Sequence, residues 1–149
     1  MPYRKYTRYK QGFAEDLNNN VYYHSGWEKN LARLFQYCIQ NKVFFMDIGV
    51  IAKVVYEPAS FYFPVKWRGK NNHYTPDWGV LLKDSQKSGQ EGTADFDLFI
   101  ECKGWMDRDS QIKLDRMSRY FLQHKVVLID SKAYRDIEKI YKPIIPYWE

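Results

Sequence analysis

Two short segments carry acids where chemistry is possible. In HYTPDW, His73 to Trp78, Asp77 stands between a proline and the first apolar residue of an expected strand. In FIECKG, Phe99 to Gly104, Glu101 and Lys103 interrupt a second apolar run. Residues two apart on a strand project from one face, about 6–7 Å apart along it. Glu101 and Lys103 therefore share a side, and Leu98, Ile100 and Cys102 take the other, towards the core. A hairpin turning near Gly89 would start its first strand at Asp77 and end its second at Glu101, roughly opposite each other. Two acids and an amine then meet above one sheet edge. Hard divalent cations bind oxygen ligands, typically one or two carboxylates completed by water and phosphate oxygens. Magnesium is the cofactor such a set suits, with manganese able to substitute. A lysine beside it can orient a nucleophilic water or offset charge developing on phosphate. Each residue also has a plainer reading: Asp77 as a strand-initiating acid after Pro76, and Glu101 with Lys103 as an exposed ion pair of little worth.

The elements that must position these groups follow from hydrophobic periodicity. In SGWEKNLARLFQYCIQ, Leu31, Leu34, Phe35, Cys38 and Ile39 form one apolar stripe at helical spacing. Ser25 with Glu28 three residues later is a capping-box pattern at its start. Residues 43–67 are rich in Val, Ile, Phe and Tyr but broken by Pro58 and Pro64, which predicts one or two strands with a bend. WGVLL after Asp77 is a short strand, residues 83–95 are turn or loop, and FDLFIECKG is a second strand. A helix over Ser110 to Gln123, with Leu114, Met117 and Phe121 on one face, precedes the strand KVVLID, a parallel crossover. A last helix covers Ala133 to Tyr141, with Ile137 and Ile140 turned inward and Pro143 and Pro146 ending it. The fold class is α/β: a mixed sheet with helices packed on it.

The chain has 149 residues, 45% hydrophobic and 28% charged, which fits one globular domain over 1–149 rather than disorder. Its apolar runs are too short to cross a bilayer, so no membrane partner is expected. Its basic N-terminus lacks the apolar core of a signal peptide. Cys38 and Cys102 give no disulfide framework, and a reducing, intracellular setting is expected. Net charge is +5, which favours an anionic partner such as nucleic acid. The excess is concentrated at the start: Arg4, Lys5, Arg8 and Lys10 alternate with Tyr3, Tyr6 and Tyr9. Cations on phosphates and rings on bases would suit DNA, and a solvated tail accounts for the same residues. Arg108, Lys113, Arg116 and Arg119 either track a DNA backbone or form the solvated face of their helix. His73 is read as a loop histidine with phosphate contact as its alternative, and Trp67 and Trp105 as packing residues.

YTPDW followed by FIECKGW resembles the PD-(D/E)XK nuclease superfamily, and within it the phage endonuclease I family that resolves Holliday junctions. That family also has a helix opening S-G-x-E, matched by Ser25, Gly26, Trp27 and Glu28. The resemblance spans residues 24–130 and departs in a longer polar hairpin and at both termini. It implies a restriction-endonuclease-like core in a bacterial or phage-infected cell, and Mg-dependent cleavage of branched DNA, expected of a homodimer because paired nicks need two sites. Asp77 and Glu101 would hold metal, Glu28 would complete the acidic cluster, and Lys103 would assist hydrolysis. For Glu28 the helix cap is a competing role. A sequence-specific homing or restriction-type endonuclease uses the same core, and a catalytically inactive DNA-binding module would keep the same fold.

Overall fold

The computed structural model describes residues 11–66 and 72–149. Arg4, Lys5, Arg8, Lys10 and Trp67 lie outside the described residues. A short ribbon, β1 (Gly12–Phe13) and β2 (Tyr22–Tyr23), leads into helix α1 (Gly26–Asn41). Then come β3 (Phe44–Phe45), β4 (Gly49–Tyr56), β5 (Phe61–Tyr62), β6 (His73–Tyr74), β7 (Trp78–Leu82) and β8 (Leu98–Lys103). Helix α2 (Arg108–Tyr120), β9 (Val126–Asp130) and α3 (Ser131–Tyr141) complete the chain. The main sheet has five strands in the order β3-β4-β7-β8-β9, with only the β8–β9 pair parallel. The fold is mixed α/β, and β8, α2 and β9 form the expected strand–helix–strand crossover.

The middle of the sheet is buried on both faces. On one, Leu31, Leu34, Phe35 and Cys38 of α1 and Tyr134 and Ile137 of α3 pack on Ile51, Trp78, Val80, Leu98, Ile100 and Ile129. Burying each of the large aliphatic or aromatic side chains contributes about 2 kcal/mol. On the other, Met117 of α2 joins Phe61 and Tyr74 of the β5–β6 ribbon against Phe96 and Phe99. The face of β8 that bears Glu101 and Lys103 is thus apolar at Phe99 and polar only at its C-terminal end.

Three details differ from the sequence expectation. Helix α2 runs from Arg108 to Tyr120 because the Asp107 carboxylate caps it, accepting from the Ser110 amide at 2.7 Å. Ile140 is 59% exposed rather than inward: the buried stripe of α3 is Tyr134, Ile137 and the half-buried Tyr141, and Ile140 falls beside it. Trp105 does not pack; it is 79% exposed, in the turn where the chain leaves β8 for α2.

Candidate active site

Strand pairing decides whether the acids meet. Trp78 pairs with Ile100, Gly79 with Phe99 and Val80 with Leu98, so Asp77 lies opposite Glu101. The connection between the strands is pinned by its own acids. Asp97 accepts from the Leu82 amide and Asp95 from the Ser88 amide, each at 2.8 Å. Gly89 turns the chain at φ +61°, and Lys53 donates to its carbonyl at 2.8 Å. Asp77 is then fixed from both sides. Its Oδ2 accepts from the Cys102 amide at 2.8 Å, and its carbonyl accepts from the Glu57 amide at 2.7 Å.

Glu28 reaches the same place from the start of α1. Ser25 caps the helix, accepting from the Glu28 amide at 3.2 Å. The reciprocal bond of the capping box is displaced by one residue: Glu28 Oε2 accepts from the His24 amide at 2.9 Å. The same oxygen accepts from the Tyr56 hydroxyl at 2.5 Å. Glu28 is therefore both a helix cap and a member of the acidic group, only 9% exposed. A close approach ties the two motif segments together. A Cβ on Gly104 would come within 3.1 Å of Trp27 Cζ3, and Trp27 stacks on Tyr134 with ring centroids 4.1 Å apart. The glycine after Lys103 thus lets the end of β8 rest against the first turn of α1.

Glu101 Oε2 accepts from the Tyr74 hydroxyl at 2.8 Å. Burial, followed by the charges of Glu101 and Glu28, pushes the Asp77 carboxyl well above the usual carboxylate range; the Cys102 amide and Lys103 only partly oppose this. Burial also raises Glu101, against the Tyr74 hydrogen bond and Lys103. The three acids thus act on one another with Lys103 as the cation among them. Among the described residues no set of three or more His, Cys, Asp or Glu side chains forms a ready-made metal cage. Asp77 and Glu101 instead provide the one or two carboxylates that a magnesium ion takes when phosphate and water complete its shell.

Glu101 and Lys103 open onto a cavity of about 210 Å³, which His73, Tyr74, Thr75, Ser110 and Lys113 also line. Lys113 therefore faces the site, whereas Arg108 is exposed at the N-terminus of α2. Arg116 lies over the rings of Phe63 and Tyr120, 5.4 and 5.8 Å from their centroids, and Arg119 is exposed. His73 is an exposed strand residue, its ring 5.6 Å from that of Tyr62. Tyr56 and Tyr74 had no place in the sequence reading as partners of the acids. Tyr74 lies within the YTPDW segment, but nothing in the spacing marks Tyr56.

Cys102 sits among the acids. Burial, followed by the charges of Asp77, Glu28 and Glu101, raises its thiol well above the usual value, and burial pushes Cys38 up to about 11. Both stay protonated at neutral pH, so the native protein should react slowly with iodoacetamide and rapidly once denatured. Fast labelling of either cysteine in the folded protein, read by mass spectrometry, would contradict this environment.

Among the described residues no helix is long and apolar enough to cross a membrane. No protein-family model, curated protein or solved structure matches the chain.

Proposed function

We propose that the protein is a PD-(D/E)XK-type nuclease, a magnesium-dependent endonuclease that hydrolyses phosphodiester bonds in DNA. The observation that carries this reading is the meeting of Asp77 and Glu101 across the β7–β8 pair, with Glu28 behind them and Lys103 two residues along the strand. Carboxyl groups crowded in a half-buried setting suit a divalent cation, whose charge would offset their mutual repulsion once they ionise. Asp77 and Glu101 would hold the ion and Glu28 would add negative charge behind them. Bound there, magnesium supplies an activated water and charge neutralisation at the leaving oxygen. Lys103 orients that water and offsets charge on the phosphate. Lys113, on the same cavity, holds a phosphate of the strand, and the chain's net charge of +5 draws DNA to it. Branched DNA is the preferred substrate on the resemblance of SGWE, YTPDW and FIECKG to the junction-resolving nucleases, and a homodimer would deliver the paired nicks.

The test is cleavage of a four-way junction and of linear duplexes of the same sequence, with and without magnesium. Cleavage of the junction in preference to the duplexes, dependent on magnesium, is the expected result. Preference for one linear site would replace junction resolution with sequence-specific cutting. Metal-independent binding with no hydrolysis of any form would leave a non-catalytic DNA-binding module.

A further inference from the structure

Each glutamate of the acidic group is held by a phenol. Tyr74 donates to Glu101 Oε2 at 2.8 Å, and Tyr56 donates to Glu28 Oε2 at 2.5 Å. Both rings are packed against other aromatic side chains. Tyr74 is 6% exposed and lies in the apolar cluster with Phe61, Phe96, Phe99 and Met117, its strand paired with Phe61. Tyr56 is wedged between Tyr23 and Trp78, with ring centroids at 4.9 and 5.5 Å. The two phenols come from different strands and different sides of the site, yet both are aimed at a carboxylate.

The choice of donor has a physical consequence. A lysine or arginine on Glu28 or Glu101 would fix the carboxylate but neutralise it, and a cation would lose its attraction. A hydroxyl fixes the carboxylate with one hydrogen bond and leaves its negative charge in place. A tyrosine hydroxyl is protonated at neutral pH, so each phenol is a donor there. The tether is also one-sided: among the described residues, the hydrogen bonds of Glu28 engage only Oε2.

We propose that Tyr56 and Tyr74 are positioning residues that hold Glu28 and Glu101 in a fixed orientation for a divalent cation, without placing a competing cation on either carboxylate. This rests on the nuclease reading, which supplies the reason for a cation. Tyr56→Phe and Tyr74→Phe delete only the hydroxyls and keep the rings that pack. The readouts are Mn2+ affinity of the DNA-free protein by calorimetry, and steady-state cleavage with magnesium. Each variant should bind Mn2+ about tenfold more weakly and lose kcat while KM for DNA stays near the parent value. Because Tyr56 acts through Glu28, the Tyr56→Phe, Glu28→Gln double variant should be no worse than Glu28→Gln alone.

Parental Mn2+ affinity in both Phe variants would overturn the proposal, even if their melting temperatures fall, since that is what a purely structural hydroxyl predicts. A loss confined to KM, or additive losses in the double variant, would overturn it too. If the parent protein binds Mn2+ but cleaves nothing, the nuclease reading fails and the affinity measurement still decides the phenols' role. If the parent binds no Mn2+, both fail.

Discussion

Asp77→Asn should reduce metal-dependent cleavage by about a thousandfold or more and, at neutral pH without metal, raise the melting temperature. Both effects have one cause. Asparagine keeps an oxygen for the Cys102 amide, so the β7–β8 contact survives. It removes a carboxylate that burial, Glu101 and Glu28 make hard to ionise. Because the folded-state pKa of Asp77 lies above its ordinary value, the folded protein holds a proton that the unfolded chain releases. The stability linked to that proton is fully present below the ordinary carboxylate range and is lost as pH rises through the folded value. The melting temperature of the metal-free parent should therefore fall between about pH 5 and about pH 9, and that of Asp77→Asn should fall less. Magnesium should stabilise the parent and not the variant. Parental cleavage by a folded Asp77→Asn protein would remove Asp77 from the site. A variant that melts lower than the parent throughout would refute the account of charge repulsion.

The hairpin that brings Asp77 and Glu101 together was legible because two local signals agree. WGVLL and FIECK are short apolar runs, and Gly89 midway between them supplies the left-handed turn residue. The start of α1 was legible from Ser25 and Glu28 for the same kind of reason: a cap is local chemistry. Tyr56 was not. It follows a shift in the β4–β7 register between Ile51 and Lys53, and a shift of one residue sends every later side chain to the opposite face. Tyr74 belongs to a two-residue strand, too short for alternation to be read. Trp105 was misread because alternation along β8 stops where the strand does, at Lys103. Burial of polar α1 residues was hidden as well, since it depends on groups far away in sequence, among them Asp16 and Glu149.

Arg33→Ala should lower the free energy of unfolding by about 3 kcal/mol, measured as a fall in the urea midpoint with an unchanged m-value. Arg33 lies on α1, 6% exposed, and its guanidinium grips Asp16 with two bonds: Nε to Oδ2 at 3.0 Å and Nη2 to Oδ1 at 2.9 Å. Its Nη1 donates to Asn30 Oδ1 at 2.9 Å and to Glu149 Oε2 at 3.0 Å. Alanine would strand the Asp16 carboxylate, and among the described residues the Glu149 carboxylate would keep only Lys29, 3.8 Å away. The side chain of Glu149 is 33% exposed, so water recovers part of its loss, which places the effect at the lower end of the range for a broken buried pair. Arg33→Lys should recover little, because one ammonium cannot reproduce the two-pronged grip. Arg33→Met restores the apolar stem alone, so its gain over alanine measures packing rather than charge. A loss below about 1 kcal/mol would mean that the group is effectively solvated. The contrast with Asp77 is physical: at Arg33 the buried charges are paired and removing one weakens the fold, whereas at Asp77 acids face acids and removing one strengthens it. Opposite stability changes in the two variants would separate charge that holds the fold from charge held ready for a cation.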